Sequence, residues 1–120
     1  MDGVLGSRRV EWLMAMRWRR SVEAALRACG LTFTQWLVLE ALQTLIRERE
    51  DAVSHSDVAV YLELDRATVG AVMRLLQDKG LVSHGDAYMS KAWRVILTGK
   101  SKALLALQRE RLEAVSVRVD

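Results

Sequence analysis

The chain has 120 residues, of which 51% are hydrophobic and 28% are charged, with a formal net charge of +3 and no proline. This composition indicates one compact domain, residues 1–120, with enough apolar side chains for a hydrophobic core. No apolar run approaches the ~20 residues of a membrane helix, and residues 1–9 lack the apolar core of an export signal. Because Cys29 is the single cysteine, internal disulfides are excluded, and we expect a cytoplasmic protein with no membrane partner.

The first predicted helix covers about residues 8–29 and ends at Gly30, which can adopt the left-handed conformation of a helix stop. One side of this helix carries a continuous apolar stripe, formed by Val10, Met14, Trp18, Val22, Ala25 and Cys29. The other side is also apolar in the first half of the helix, at Trp12, Leu13 and Met16. Since two apolar sides need two surfaces to bury against, we predict a homodimer interface here. The alternative is that both sides are covered within one chain.

The second predicted helix covers residues 32–48 and is apolar nearly all round. Thr32 and Gln35 have the spacing of a capping box. Leu31 and Trp36 lie where a hydrophobic staple forms. We therefore expect this helix to be central and buried.

A short helix is predicted over residues 55–61. Ser54 precedes it as an N-cap, and Asp57 stands three residues later, as in a capping box. Val53 and Val58 lie at the staple positions. The segment is predicted as the first helix of a helix-turn-helix.

The next helix is predicted over about residues 66–79, after a connection of the length typical of a helix-turn-helix. Asp65 is its N-cap, and Gly80 supplies its left-handed stop. Its core side carries an apolar ladder at helical spacing, formed by Val69, Val72, Met73 and Leu76. This helix is the candidate recognition helix for a DNA major groove.

Two β-favouring runs, residues 81–84 and 93–97, predict a hairpin that forms a wing over residues 83–94. Gly85 and Asp86 follow the first run and are predicted to belong to the polar turn of this hairpin. Two capped helices followed by a hairpin give the order of elements that a winged helix requires.

The last predicted helix begins at residue 99, behind a Thr98 cap. Its apolar positions assigned to dimerisation are Leu104, Leu107, Leu112 and Val115. The fold class predicted for the whole chain is mainly α with a small β-hairpin. It consists of a DNA-binding winged helix-turn-helix, residues 31–98, flanked by dimerisation helices in residues 1–30 and 99–120.

The charge is unevenly distributed along the chain. Residues 1–30 carry a net charge of +3, residues 31–65 carry −5, residues 66–102 carry +5, and residues 103–120 are neutral. The largest positive excess therefore falls on the predicted recognition helix and wing. Contact with DNA phosphates requires such a local excess, although a solvated basic face is the alternative.

Several short runs together resemble one known family. They are Leu31, Thr32, Gln35, Trp36, Val38 and Leu39, then residues 65–69, residues 79–82, and finally Leu97 and Thr98. Over about residues 31–107 the chain resembles the MarR family of bacterial winged-helix regulators. The resemblance implies a homodimer that binds pseudo-palindromic double-stranded DNA as a repressor or activator, often relieved by a small phenolic ligand or by oxidation. We expect a repressor here, with a small aromatic ligand as a candidate partner.

The residues predicted to contact DNA are Ser54, His55, Arg66, Ala67, Thr68, Gly70, Ala71, Arg74, Lys91 and Arg94. Opposite its apolar ladder the recognition helix presents small side chains, so Arg74 is its one strong donor to base edges. Arg66 and Thr68 lie in the first turn, where phosphate contact is favoured. Lys91 and Arg94 are the wing residues expected at the minor groove or at phosphate. We therefore predict modest sequence discrimination with a larger electrostatic contribution.

Other site chemistry is weakly represented in the sequence. Without a nucleophile motif, phosphate loop or metal-ligand spacing, no enzyme activity, metal or cofactor is predicted. His55 and His84 are interpreted as surface or capping residues. Cys29 is considered as a peroxide-sensing thiol, but a small apolar residue of the core is the favoured interpretation. Core packing is favoured over an aromatic ligand pocket for Trp12, Trp18, Trp36 and Trp93.

A second class of function stays open. A winged helix can serve as a protein-interaction module, such as an antirepressor or adaptor, without binding DNA specifically. The small side chains of the recognition helix favour this alternative, whereas the positive charge of residues 66–102 favours DNA.

Overall fold

The computed structural model describes residues 6–86 and 93–116, with the side chains of residues 6–85 and 94–113. The described residues form a mainly helical fold with one antiparallel hairpin, as predicted. The elements in chain order are α1 (Arg9–Arg27), α2 (Phe33–Glu48), α3 (His55–Leu62), α4 (Arg66–Asp78), β1 (Val82–Asp86), β2 (Trp93–Leu97) and α5 (Gly99–Ser116). Within the described parts of the chain, none of these helices is long and apolar enough to cross a bilayer.

Both predicted capping boxes form. Gln35 N–H donates to Thr32 Oγ1 at 3.1 Å, and Thr32 N–H donates to Gln35 Oε1 at 3.2 Å. At the start of α3, Asp57 N–H donates to Ser54 Oγ at 3.2 Å, and Ser54 N–H donates to Asp57 Oδ2 at 2.8 Å. These bonds satisfy amide groups that a helix start leaves without partners, so the start of each helix is fixed by local sequence.

The core is built around α2, which packs against α1, α3, α4, α5 and β2. This confirms its predicted central position. Its buried apolar side chains are Trp36, Val38, Leu39, Ala41, Leu42 and Leu45. The ladder predicted for α4 is buried as well, at Val69, Val72, Met73 and Leu76. Because burying a side chain of this size contributes about 1.5–3 kcal/mol, the core holds the opposite face of α4 towards solvent.

The turn between α3 and α4 contains a feature that the sequence did not indicate. Glu63 adopts a left-handed φ of 55°, although it is not a glycine. Such a conformation costs about 1–3 kcal/mol and persists where the surrounding structure holds it. Leu64, the next residue, packs against the core, and Asp65 Oδ2 accepts from Thr68 N–H at 3.1 Å to begin α4. The turn is therefore held by its neighbours on both sides.

The hairpin corrects one prediction. Gly85 and Asp86 do not form the turn, because both lie in β1, where they pair with Arg94 and Trp93 of β2. The paired strands thus extend further than predicted, and the tip of the wing, residues 87–92, lies outside the described residues.

The N-terminal half of α1 is not covered by the rest of the chain. Val22 and Leu26 are buried, and α5 packs against α1. Towards the N-terminus, Val10 is 72% exposed, and three further large side chains are 47–48% exposed: Trp12, Met14 and Trp18. The apolar stripe predicted along the whole helix is therefore buried within one chain only in its C-terminal half.

Replacing Gly70 by alanine and replacing Gly80 by alanine should change the stability of the protein in opposite directions. A Cβ added at Gly70 meets nothing within 4 Å, so Gly70→Ala should raise the free energy of unfolding by about 0.5–1 kcal/mol through its helix propensity. Gly80 has a φ of 73°, so Gly80→Ala should lower that free energy by about 1–2 kcal/mol. Urea unfolding of both variants measures the two effects, and equal signs would contradict this account of α4.

Candidate nucleic-acid interface

The solvent face of α4 has the composition predicted for it. Ala67, Ala71 and Arg74 are exposed, and Gly70 is half-exposed. Nothing lies within 4 Å of a Cβ built at Gly70, so this face of small side chains is also open to solvent. Backbone atoms of α4 can approach a DNA groove closely here, and Arg74 is the long donor on this face.

A groove of about 810 Å³ runs beside this face and is bounded by α3, α4 and β1. Its lining is polar and basic, formed by Ser54, His55, Ser56, Arg66, Arg74, Gln77 and His84. Four of these residues were predicted to contact DNA, namely Ser54, His55, Arg66 and Arg74. The fold therefore brings predicted residues from two helices to one site, and it adds three that were not predicted to contact DNA: Ser56, Gln77 and His84.

A pair of histidines closes one side of the groove. His55 Nε2 and His84 Nε2 lie 2.8 Å apart, and the ring centroids are separated by 5.0 Å with a 65° angle between the planes. Both side chains are half-buried. Both side chains line the groove, and their pairing was not predicted from the sequence.

The pairing has a clear cause in the fold. Val95 N–H donates to Val53 O at 2.9 Å, which holds β2 against the segment that leads into α3. The strand register places His84 opposite Val95, and His55 follows Val53 by two residues. Non-local backbone pairing thus brings together two side chains that lie 29 residues apart.

The surroundings of His55 favour its neutral form. Burial lowers the pKa of His55 from its ordinary value, and the neighbouring His84 ring and the Arg66 guanidinium lower it further. Asp57, in the same helix, is engaged elsewhere, since Arg49 Nη1 lies 2.9 Å from its Oδ1. Burial alone would raise the pKa of Asp57, but hydrogen bonds from Ser54 and Arg49 bring it below its ordinary value.

Polar contacts hold the C-terminal end of α4. Lys79 Nζ donates to Gly30 O at 2.6 Å and to Gln35 Oε1 at 2.9 Å. Lys100 Nζ donates to Lys79 O at 2.9 Å. These charge-assisted bonds tie α4 to the turn between α1 and α2 and to the start of α5.

The predicted wing residue Arg94 lies apart from this groove. His84 is paired with the buried Val95, so these two side chains share one face of the hairpin. Because side chains alternate along a strand, Arg94, the neighbour of Val95, lies on the opposite face. It lines a different groove, of about 330 Å³, together with residues such as Arg49, Asp51 and Lys102. Lys91 lies outside the described residues, so its role stays a prediction.

The predicted dimerisation residues differ in their exposure. Val10, Trp12 and Leu107 are exposed, whereas the half-buried ones are Leu13, Met16, Leu104 and Leu112. Leu104 and Leu112 pack against the core of the same chain. The side chain of Val115 lies outside the described ones. The open apolar surface is therefore concentrated on α1.

Cys29, Trp18 and Trp36 have the surroundings of packed side chains. Cys29 is half-buried against the core, and Gln108 Nε2 donates to its Sγ. Trp36 is buried, and Trp18 packs on its ring at 6.1 Å and on Phe33 at 5.6 Å between centroids. Trp12 is half-exposed on α1, and the side chain of Trp93 is not among the described ones.

Comparison with known proteins identifies the architecture. The sequence matches no protein-family model and no curated protein. Among solved structures, the MarR family protein Rv2887 of Mycobacterium tuberculosis in complex with DNA has a TM-score of 0.75 and 24% identity, covering 98% of this chain and 83% of its own. The Staphylococcus aureus MepR–DNA complex gives a TM-score of 0.79 and 16% identity, with coverage of 96% and 81%.

A third solved structure is similar to this chain to the same degree. CouR of Rhodococcus jostii bound to p-coumaroyl-CoA gives a TM-score of 0.77 and 20% identity, covering 98% of this chain and 78% of its own. The chain has the MarR fold. Within the MarR fold of this chain, α3 and α4 form the helix-turn-helix, and β1 and β2 form the wing.

Proposed function

We propose that this protein is a member of the MarR family and acts as a homodimeric, double-stranded DNA-binding transcriptional regulator, with repression as the expected output. The observation that carries the proposal is the groove beside α4, where Arg66 and Arg74 lie next to the open solvent face of that helix. Basic side chains beside a protruding helix supply both the phosphate and the base contacts that duplex recognition needs.

In this proposal α4 enters the major groove. Two N–H groups of the Arg74 guanidinium donate to O6 and N7 of a guanine, and the methyl groups of Ala67 and Ala71 contact thymine methyl groups. Arg66 and Thr68, in the first turn of the helix, bind the phosphate backbone. Recognition of this kind gives limited sequence discrimination, because one long donor reads the bases in each half-site.

The proposed homodimer uses the exposed apolar surface of α1. Its two-fold symmetry presents two copies of α4 to half-sites about one helical turn apart on one side of the duplex. A small aromatic ligand remains a candidate effector, since CouR is a structural neighbour that binds p-coumaroyl-CoA.

The proposal is tested by comparing Arg74→Ala with Arg66→Ala. Wild-type protein should bind a duplex from its own promoter more tightly than a random duplex. Arg74→Ala should reduce that preference by about 5- to 150-fold for each half-site, the value of one bidentate base contact in each protomer. Arg66→Ala, the matched control, should weaken binding to both duplexes equally. Fluorescence anisotropy titrations measure the four affinities, and an unchanged preference in Arg74→Ala would contradict the assigned role.

A second candidate function is a protein-interaction module. It is favoured by exposed apolar side chains on the helix-turn-helix itself, where Val60 is 79%, Tyr61 is 51% and Leu75 is 50% exposed. Large exposed apolar side chains that cluster commonly mark protein interfaces. A stoichiometric protein complex together with no affinity for any duplex would favour this candidate over the first.

A further inference from the structure

The His55–His84 pair has a feature that neither DNA recognition by α4 nor the fold explains. Two neutral imidazoles whose Nε2 atoms lie 2.8 Å apart share one proton, since one ring donates N–H and the other accepts with its lone pair. Either ring can be the donor. The donor ring then has an unprotonated Nδ1, so the pair can bind one further proton while the hydrogen bond is kept.

The surroundings decide when that proton binds. Arg66 and Arg74 line the groove from α4. Asp57, two residues after His55, is bound to Arg49 and Ser54. Two cations lining the groove disfavour a third positive charge on His55. An anion placed in the groove reverses this balance, because it attracts a protonated pair as well as both guanidinium groups.

We propose that the His55–His84 pair is a proton-coupled phosphate contact: when a DNA phosphate enters the groove, the pair takes up one proton from solvent and binds that phosphate as a monocation. The proposal rests on the proposed DNA-binding function and adds to it the regulation of binding by pH. Ser54 and Ser56 line the same groove and offer hydroxyl groups to the phosphate.

The consequence is opposite pH dependence in the free and the bound protein. Because the pKa of His55 is lowered in the folded chain, the unfolded chain binds more protons, and the stability of free protein falls as pH drops below about 6.5. DNA affinity should instead rise as pH falls, by about five- to tenfold for each bound protomer between about pH 7.5 and pH 6, since uptake of one proton allows at most about tenfold per pH unit.

The experiment measures proton uptake directly. Isothermal titration calorimetry of the full chain with a promoter duplex, in two buffers of different ionisation enthalpy at about pH 6.5, should give an uptake approaching one proton per protomer. The double variant His55→Gln/His84→Gln should abolish the uptake and flatten the pH dependence of affinity, since a single variant leaves one imidazole in the groove. These two residues are the only histidines of the chain, which removes other imidazoles from the interpretation.

A matched control is available in α2. Burial raises the pKa of Glu40, and Arg109 partly opposes this, so Glu40 is a second group able to titrate above the usual carboxyl range. Glu40→Gln should leave the proton uptake unchanged. Loss of uptake in Glu40→Gln, or wild-type binding that is independent of pH and buffer, would overturn the inference while leaving DNA binding intact. Absence of binding to any duplex at every pH would overturn the proposed function together with the inference.

Discussion

Val10→Glu is expected to convert the protein from a dimer to a monomer. Val10 is 72% exposed on α1, on the same side of the helix as the exposed Met14. It can therefore contribute to the proposed interface without supporting the fold of one chain. Two symmetry-related valines are lost, each worth about 1.5 kcal/mol or more when buried, and two unpaired carboxylates replace them. The dissociation constant should therefore rise by more than about 100-fold.

Light scattering over a range of protein concentrations measures this change. Val60→Glu is the matched control, because Val60 is 79% exposed on α3, away from the proposed interface, and should leave the dimer intact. Operator affinity should fall with the loss of the dimer, since one protomer reaches one half-site. An unchanged dimer mass in Val10→Glu would place the interface elsewhere.

DNA affinity is expected to fall about 1,000-fold between about 50 and 200 mM salt. If three basic side chains in each protomer neutralise phosphates, a dimer releases the counterions of about six, and log K falls with log salt at a slope of about −5. Arg66, Lys91 and Arg94 are the residues expected to make these contacts. Titration of one duplex at several salt concentrations gives the slope, and a slope near zero would contradict binding through the basic residues 66–102.

Removal of single cations refines this prediction. Arg66→Ala should make the slope shallower by about two, one for each protomer. Arg94 lies on the face of the hairpin opposite the His55–His84 pair, so Arg94→Ala distinguishes whether that face of the wing contacts phosphate. An identical slope in Arg94→Ala would remove Arg94 from the interface and leave Arg66 in it.

The parts of the fold that depend on neighbouring residues were predictable from the sequence. Thr32 and Ser54 begin their helices because each cap is completed by a residue three positions later. Gly30 and Gly80 end theirs with positive φ values of 67° and 73°. Such contacts form within one turn of chain, so the sequence specifies them without reference to the rest of the fold.

The parts that depend on distant contacts were not predictable in the same way. The His55–His84 pair exists because Val95 N–H bonds to Val53 O, and no local pattern encodes that bond. Gly85, a residue type typical of turns, lies in a strand because its partner Arg94 continues the ladder. The left-handed Glu63 likewise depends on the packing of the residues around it rather than on a glycine.

Of the candidate site, the sequence supplied the recognition helix and its small face but not the groove. Arg66 and Arg74 were singled out by their positions on α4. That they line one groove with Gln77 and His84 follows from how the hairpin packs against the helix-turn-helix. A charged residue can thus be assigned to a helix face from sequence, whereas its neighbours from other elements require the fold.

The most direct test of DNA binding is titration of the unmodified protein, at low salt, against a duplex from its own promoter and a random duplex of equal length. We expect binding to both, tighter for the promoter duplex, with two protomers in each specific complex by light scattering. Binding to neither duplex would contradict the account.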